Sequence, residues 1–245
     1  MMISKIKEIK KSIMDASFFT PSWYSIFINP YFINRHSLYR HITQFARSVS
    51  VDDRVLDIGC GLKPYQSLFV VKEYLGIDIE GGGHDDQAKI VDAYYDGRTV
   101  PYPDDSFDIV ICTQVLEHAD DAEVLTKEAA RVLRAGGRIF FSMPFIYPEH
   151  EAPYDFRRYT SFQHKRLFAA YNFEEVSIQK TTGFFGTFGQ LFVVWVFESI
   201  TFRAPILKAL LSVFLFGPIL AVSLGLDWIL DKSGPTMDYV ITAKR

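Results

Sequence analysis

Short apolar runs rich in β-forming residues alternate with helical stretches from Arg54 onwards, and this alternation constrains the fold most. The runs read, in chain order, RVLDIG, EYLGID, AKIVD, FDIVIC, GRIFFSMP, FEEVSIQK and MDYVITAKR. Runs that are apolar on both faces are typical of a parallel sheet covered by helices. The pattern therefore predicts an alternating α/β domain. A chain of 245 residues suits one such domain with appendages.

The helix boundaries are also predicted from local signals. DAEVLTKEAARVLRAGG predicts an amphipathic helix that ends at Gly136 and Gly137. TSFQHKRLFAAY opens with Thr160 and Gln163 at the spacing of a capping box. Asn34 is the predicted cap of the helix RHSLYRHITQFARSV.

The first run ends in VLDIGCGLKPY, where Gly59 and Gly61 allow a turn to approach a ligand closely. A dinucleotide fingerprint has a third glycine where this chain has Pro64, so a pyrophosphate site is disfavoured. Asp78 ends the second run about twenty residues later, at the reach of a ribose diol. Asp92 ends the third run, where an adenine amino group would donate. Because open α/β sheets bind ligands along the carboxyl ends of their strands, these residues predict a nucleoside-containing cofactor.

Four segments carry a family resemblance: VLDIGCGLKPY, YLGIDIE, VDAYYDGRTVPYPDDSFDIVICTQVLEHADD and RVLRAGGRIFFSMPF. In order and spacing they resemble the S-adenosylmethionine-dependent methyltransferases of the Rossmann-like class, in the branch called type 11. The resemblance covers about residues 51–180 and the last strand. YPEHEAPYDFRRYTSFQHKRLFAAYNFEE and NPYFINRHSLYRHI are similar to a narrower subgroup often found near polysaccharide biosynthesis genes. The fold implied is a seven-stranded sheet with helices on both faces and a final antiparallel strand.

The resemblance also implies the residues that bind S-adenosylmethionine. Asp57 would orient the methionine end of this cofactor, and Asp78 would hold its ribose. The other implied cofactor residues are Gly59, Gly61, Ile79, Asp92, Ala93, Thr113 and Gln114. Lys63 and Pro64 replace the small residues of the commoner pattern, so the following helix is expected to start differently.

Two histidines are candidate catalytic bases, because a hydroxyl acceptor must lose its proton during methyl transfer. His118 follows the fourth run and His150 follows the fifth, which predicts that both lie at the same sheet edge. His150 is favoured because a carboxylate can orient an imidazole and raise its basicity, and its charged or polar neighbours are Glu149, Glu151, Tyr154, Asp155, Arg157 and Arg158. The alternative is that both histidines only hold loops together and that their neighbours form a salt-bridged lid. No metal site is predicted, and the GGGHDD segment with His84 is interpreted as a polar loop.

The run ALLSVFLFGPILAVSLGL, residues 209–226, contains no charged residue and is about long enough to span a membrane. By the resemblance it lies in an insertion, residues 183–235, between the sixth and seventh strands, so any crossing would occur an even number of times. We expect Gly217 and Pro218 to break the run. Two interpretations stay open. The insertion is a helical cap over the active-site face, with or without homodimerisation, or it dips into one membrane leaflet together with residues 1–30, which include a basic amphipathic helix and Trp23.

The predicted organisation has four parts: an N-terminal helical and aromatic extension (1–50), a methyltransferase core (51–182), the apolar helical insertion (183–235) and a closing strand (236–245). The net charge of −3 leaves no basic surplus for nucleic acid binding. The two cysteines, Cys60 and Cys112, are predicted to be buried thiols, which fits a reducing compartment. The first residues lack a signal-peptide pattern, so we expect a cytoplasmic protein, with or without peripheral attachment to the inner membrane.

The predicted function is transfer of a methyl group from S-adenosylmethionine to a small-molecule or lipid-linked glycan acceptor, at oxygen. An isoprenoid or aromatic acceptor is the nearest alternative, because the insertion is apolar. Two alternatives come from other classes: a nicotinamide-dependent oxidoreductase, and a membrane-associated binding protein that has the cofactor fold without catalysis.

Overall fold

The fold is taken from a computed structural model that describes residues 18–81, 89–200, 205–230 and 234–245. The predicted basic helix over residues 3–13 and most of the GGGHDD loop lie outside the described residues. The chain divides into two compact units. The sheet unit comprises residues 42–180 and 238–245, and the helical unit comprises the described residues up to His41 together with residues 181–237.

The sheet unit contains a seven-stranded sheet in the order β3-β2-β1-β4-β5-β7-β6. Strands β1 to β5 pair in parallel, and β7 lies antiparallel between β5 and β6. The predicted seven-stranded sheet with its antiparallel final strand is therefore confirmed. The strands are β1 (Arg54–Ile58), β2 (Glu73–Ile79), β3 (Ala93–Tyr95), β4 (Phe107–Thr113), β5 (Leu133–Pro144), β6 (Glu174–Lys180) and β7 (Asp238–Lys244).

The described residues also form α-helices. They are α1 (Phe32–Ala46), α2 (Ala122–Val132), α3 (Ser161–Ala170), α4 (Phe184–Ile200), α5 (Pro205–Leu211) and α6 (Gly217–Ile229). Short 3-10 turns occupy Trp23–Phe27 and Gln66–Leu68. Asp121 caps α2 by accepting hydrogen bonds from two backbone amides, and Thr160 caps α3 by accepting one from Gln163, as its sequence predicts.

The core of the sheet unit lies against the two central strands. Every residue of β4 from Phe107 to Cys112 is buried, as are the last four residues of β1. Phe140, Phe141 and Phe168 are fully buried beside them. Both cysteines are free and buried, as predicted. This apolar packing on both faces fixes the central strands, and so fixes the positions of the loops that follow them.

Three predicted boundaries are wrong. The third strand is β3 at Ala93–Tyr95 and not AKIVD, because the Asp92 side chain is held by the Gly76 amide just before the strand begins. Helix α2 ends at Val132, because Leu133 already pairs with Phe107 of β4. Helix α1 begins at Phe32, so Asn34 lies within its first turn and does not cap it.

The predicted break at Gly217 and Pro218 is also wrong. Residues 207–229 form one continuous helix, in which a π-helical turn at Ser212–Phe216 joins α5 to α6. Pro218 lies in the first turn of α6, and the wider π-helical turn precedes it. Proline has no amide hydrogen and is tolerated best in the first turn of a regular helical segment. The helix therefore continues through Pro218, with a local change from α-helical to π-helical hydrogen bonds before it.

The helical unit is held together by the packing of α4 against α6. A methyl group added at Gly189 of α4 would overlap the Ser223 hydroxyl of α6, so the two helices approach closely only because residue 189 is glycine. The apolar cluster around them consists of Phe32, Ile33, Val193, Val196, Phe216 and Leu220. Gln190 of α4 accepts a hydrogen bond from the Ile33 amide at 2.8 Å, which ties α4 to the start of α1.

One buried carboxylate, Asp227 of α6, caps the N-terminus of α4. It accepts hydrogen bonds from the amides of Gly183 at 2.7 Å, Phe185 at 2.9 Å and Gly186 at 3.0 Å. The first amides of a helix have no partner within the helix, and the positive end of the helix dipole favours an anion there. Asp227 therefore satisfies three backbone donors at the start of α4 from a different helix.

We expect Asp227→Ala to lower the free energy of unfolding of the helical unit by about 1–3 kcal/mol, because buried amides lose their acceptor. Asp227→Asn keeps an acceptor oxygen without the charge and should cost less. All three tryptophans of the chain (23, 195 and 228) belong to this unit, so urea unfolding followed by tryptophan fluorescence measures the effect. Equal stability of the alanine variant and the wild type would contradict the capping role.

Candidate active site

The turn after β1 contains the two glycines predicted to approach a ligand. Gly59 and Gly61 have φ angles of +70° and +49°, a backbone conformation that favours glycine. A methyl group added at Gly59 would overlap the Val115 side chain, whereas one added at Gly61 would meet no atom within 4 Å. Packing therefore requires the first glycine, while the second faces open space at the end of the strand.

Asp57 lies on β1 just before this turn and is 2% exposed. Its Oδ2 atom accepts a hydrogen bond from the Tyr74 hydroxyl at 2.7 Å. Burial raises the pKa of Asp57 to about 7, although the Tyr74 hydrogen bond and the nearby Lys63 charge favour the ionised form. A carboxylate in this setting gains from a cation placed beside it, such as the sulfonium of S-adenosylmethionine.

Asp78 is the penultimate residue of β2, and it connects this strand to the glycine turn. Its carboxylate accepts hydrogen bonds from the amides of Gly61 at 2.9 Å and Ile79 at 2.8 Å. The Lys89 ammonium lies 3.3 Å from Oδ1. A carboxylate has about four lone-pair positions, so Asp78 keeps acceptor capacity for ribose hydroxyls.

Lys63 and Asp92 form an ion pair that the sequence did not reveal. Lys63 is buried with a φ of +51°, and its stem passes so close to Gly76 that any side chain at residue 76 would overlap it. Its ammonium bonds Asp92 Oδ2, which also accepts from the Gly76 amide at 2.6 Å. Burial raises the pKa of Asp92, but the hydrogen bonds from Lys63 and Gly76 outweigh it and lower the pKa overall. The Oδ2 atom of Asp92 is thus already bonded by Lys63 and Gly76. Contact between Asp92 and adenine stays a prediction.

The residues after β4 complete this edge of the sheet. Gln114, next to Thr113, has a φ of +57°, and its amide and side chain donate to Ser142 of β5 at 3.0 and 3.1 Å. A residue other than glycine in this conformation is uncommon and is concentrated at functional sites. Ile79 ends β2, and Ala93 of β3 pairs with the neighbouring Ile77. All nine predicted cofactor residues therefore lie on adjacent strand ends and turns.

These strand ends lie where the strand order changes direction. From β1 the sheet continues through β2 and β3 on one side and through β4 and β5 on the other. Open α/β sheets bind ligands in the crevice that forms at this point, beyond the carboxyl ends of the strands. The open side of Gly61 and the acids of β1 and β2 fit a nucleoside with an attached cation.

A second group of polar side chains, which we call the Glu–His–His cluster, comprises Glu117, His118 and His150. One ligand atom from each of the three residues lies within 4.8 Å of the others. The two imidazole rings meet at an angle of 75°, with centroids 4.8 Å apart. The structure thus brings both predicted histidines together, and it adds Glu117, which the sequence analysis did not single out. Its position directly before His118 was the available signal.

Charged and polar neighbours orient both histidines. His118 Nδ1 lies 3.0 Å from the Tyr154 carbonyl oxygen, and its Nε2 lies 3.7 Å from Glu117 Oε1. His150 Nδ1 lies 3.1 Å from Asp155 Oδ2, an ion-pair distance without a hydrogen bond. Burial lowers the pKa of His150, and the nearby His118 acts in the same direction.

Arg157 connects the two loops that carry the cluster. Its guanidinium donates to the backbone carbonyls of Leu116 at 3.2 Å, Asp120 at 3.0 Å and also Ala119. The Phe156 amide donates to the Glu117 carbonyl at 3.0 Å. The loop after β5 is therefore held against the loop after β4 by backbone contacts on both sides of His118.

Comparisons with known proteins agree with this geometry. Residues 56–141, which run from β1 into β5, match the family described as "Methyltransferase domain". An uncharacterised methyltransferase of Bacillus subtilis is 35% identical over 115 residues, covering 42% of this chain and 43% of that protein. The 27-O-demethylrifamycin SV methyltransferase of Amycolatopsis mediterranei is 37% identical over 100 residues, covering 36% of this chain and 37% of that protein. The chain thus spans less than half the length of these curated relatives.

A solved structure shows the same fold over a longer stretch. A SAM-dependent methyltransferase from Archaeoglobus fulgidus covers 91% of this chain and 100% of its own, at 18% identity and a TM-score of 0.55. The fold is thus that of Rossmann-like, S-adenosylmethionine-dependent methyltransferases. Residues 56–141, which carry the strand-end site up to β5, are similar to the methyltransferase domain family. This result favours a methyltransferase over the oxidoreductase alternative, as does the antiparallel β7.

The two glycines of the turn provide a matched pair of variants. We expect Gly61→Ala to weaken S-adenosylmethionine binding at least tenfold, because its new methyl group enters the open side, and to lower the thermal unfolding temperature slightly, because its φ of +49° disfavours alanine. Gly59→Ala should lower the thermal unfolding temperature more, because its methyl group also overlaps Val115. Calorimetric titration with the cofactor and thermal unfolding measure the two effects. Full cofactor affinity in Gly61→Ala would show that the cofactor does not approach this turn.

Proposed function

We propose that this enzyme transfers a methyl group from S-adenosylmethionine to an oxygen atom of a small-molecule or lipid-linked glycan acceptor. The observation that carries the proposal is the position of the Glu–His–His cluster. It follows β4 and β5, on the same edge of the sheet as the cofactor residues that follow β1, β2 and β4. An acceptor between the two groups of residues would meet both the donor and a polar cluster.

The cofactor supplies an activated methyl group on a positively charged sulfonium. Much of the catalysis then comes from alignment of the acceptor with that group, which the protein achieves by fixing both partners. In this chain Asp57, Asp78 and the glycine turn would hold the donor. The Glu–His–His cluster would receive the acceptor.

The cluster favours an acceptor that donates hydrogen bonds. Within the described residues, neither oxygen of Glu117 nor the Nε2 atom of His118 has a hydrogen-bond partner. Hydroxyl groups are donors and would satisfy these atoms, which supports methylation at oxygen. The Amycolatopsis relative is named for methyl transfer to an oxygen of demethylrifamycin, which also supports an oxygen acceptor in this chain.

The helical unit supports a second part of the proposal, attachment to a membrane surface. Its helices expose large apolar side chains, among them Trp195 (66% exposed), Phe214 (76%) and Trp228 (86%). Residues 207–229 form one helix that is long and apolar enough to cross a membrane, by length and composition only. An exposed apolar surface of this extent marks an interaction site, and tryptophans suit the interface between lipid and water.

We infer that the helical unit lies in one leaflet and does not span the bilayer. Both of its connections lead back to strands of one sheet, β6 and β7. Helix α4 has 17 residues, at the lower limit for a span, and only one helix meets the length criterion in the described part of the chain. A surface-attached enzyme would act on lipid-linked glycans or on isoprenoid and aromatic acceptors. Dimerisation through the same apolar side chains is the competing explanation.

Methyl transfer can be tested before the acceptor is known. The purified enzyme is incubated with methyl-labelled S-adenosylmethionine and an extract of the source cells, and the product is partitioned between organic and aqueous phases. We expect label in the organic phase, released by mild acid as a glycan if the acceptor is a lipid-linked sugar. Label only in the aqueous phase would indicate a soluble acceptor. Label on an amine in the isolated product would contradict methylation at oxygen.

Flotation with anionic liposomes tests the membrane attachment. We expect the full chain to float with the liposomes, and the triple variant Trp195→Ser, Phe214→Ser, Trp228→Ser to remain at the bottom while still binding the cofactor. The matched control is Phe162→Ser, which removes a side chain that is 84% exposed from the sheet unit. A wild-type protein that stays at the bottom as a stable dimer would favour the dimer explanation.

A further inference from the structure

The Glu–His–His cluster contains a carboxylate whose burial the protein does not otherwise explain. Glu117 is 0% exposed, and within the described part of the chain neither of its oxygens has a hydrogen-bond partner. An ionised carboxylate buried without a partner costs several kcal/mol, so such groups are normally paired or bound to a metal. Burial accordingly raises the pKa of Glu117 well above its ordinary value.

The nearby arginines do not supply the missing partner. Arg158 attracts the Glu117 carboxylate electrostatically, but both of its terminal nitrogens donate to Asp155. Arg157 donates to backbone carbonyls. Two acids, Asp238 and Asp155, also act on Glu117 and raise its pKa further, and its own backbone amide only partly offsets them. The imidazole of His118 is close as well, with Nε2 3.7 Å from Oε1.

The imidazoles are arranged as metal-binding histidines usually are. A histidine that binds a metal typically points its other ring nitrogen at a backbone carbonyl or a carboxylate, which fixes the ring. His118 has the Tyr154 carbonyl 3.0 Å from Nδ1, and His150 has Asp155 3.1 Å from Nδ1. The Nε2 atom of His118 then faces the Glu117 carboxylate and has no hydrogen bond in the described residues.

We propose that Glu117, His118 and His150 bind one divalent first-row transition-metal ion. Two imidazoles and a carboxylate are a ligand set that such ions prefer. Ligand atoms about 2.0–2.2 Å from a metal lie roughly 3–4 Å apart, and the three atoms here lie within 4.8 Å. Side-chain movements of roughly 1 Å would therefore close the site. Glu151, with Oε2 3.6 Å from His118 Nε2, is within reach as a fourth ligand.

The site would leave coordination positions for the acceptor. Three protein ligands of this kind leave room for water or for substrate oxygens, and a bound cation lowers the pKa of a hydroxyl that coordinates it. A sugar diol or catechol would suit two adjacent positions. This use of the cation rests on the proposed function, whereas the binding of the ion does not.

A protonated Glu117 is the competing explanation, because a neutral carboxyl group is much less costly to bury. The two explanations differ in what Glu117→Gln does. Glutamine replaces a neutral carboxyl group with little loss, but it replaces a metal-binding carboxylate poorly. The variant therefore separates a structural role from a ligand role.

The test uses the full-length chain freed of metal with a chelator and then titrated with Co²⁺ alone. We expect one equivalent to bind and to produce the visible absorption of a cobalt–imidazole complex. Glu117→Gln, His118→Ala and His150→Ala should each weaken Co²⁺ binding by about 10-fold or more. Calorimetric titration with S-adenosylmethionine in the same samples shows that each variant is folded and keeps its cofactor site.

Two control variants locate the ion. Glu174→Gln removes an exposed carboxylate of β6, and His84→Ala removes the histidine of the GGGHDD segment. Neither should change the absorption or the affinity. No Co²⁺ spectrum at one equivalent, undiminished binding in the cluster variants, or loss of binding in His84→Ala would overturn the proposal. Full methyl transfer by the chelated enzyme would also exclude a catalytic ion, whereas Co²⁺ binding without any methyl transfer would reject the proposed function and leave the metal site in place.

Discussion

The ion pair between Lys63 and Asp92 is the interaction on which the cofactor edge depends. The lysine stem crosses the backbone of β2 at Gly76, and its ammonium reaches the carboxylate that precedes β3. Three consecutive elements, the turn after β1, strand β2 and the start of β3, are thereby fixed to one another. Asp78 adds a second connection through the Gly61 amide. Lys63 is buried and the Asp92 side chain is 37% exposed, so the pair is only partly buried. Together with the Asp78 contact it positions the turn through the chain's own residues.

The sheet was largely predictable from the sequence because its signal is local. Six of the seven strands coincide with apolar runs. A strand that is buried on both faces is a continuous apolar run, so it can be recognised without knowing which strands it pairs with. The third strand was misplaced because Asp92 looks like a strand end, whereas a side-chain contact with Lys63 holds it in the preceding turn. Helix α2 was extended too far for a similar reason, since pairing between Leu133 and Phe107 overrides the helical propensity of the segment.

The candidate site was predictable by position but not by chemistry. The sequence indicates which residues follow which strand, and this placed His118 and His150 at one edge. It does not indicate which polar groups find partners. Beyond its position next to His118, Glu117 carries no distinguishing signal in the sequence, and only its complete burial without a hydrogen bond in the described residues sets it apart. Likewise, the helical unit joins α1 to α4 through Gln190 and Ile33, residues 157 positions apart, a contact that no local pattern contains.

The position of β7 has a consequence for synthesis on the ribosome. Strand β6 pairs with β7 and, among the described residues, with no other strand, so it cannot join the sheet until residues 238–244 have been made. The apolar helices of residues 184–229 therefore leave the ribosome while the edge of β5 is still open. Their hydrophobic surfaces must be buried, either between the helices or in lipid, before the sheet is complete. Nascent chains paused in this interval would be the form most exposed to aggregation and to capture by chaperones.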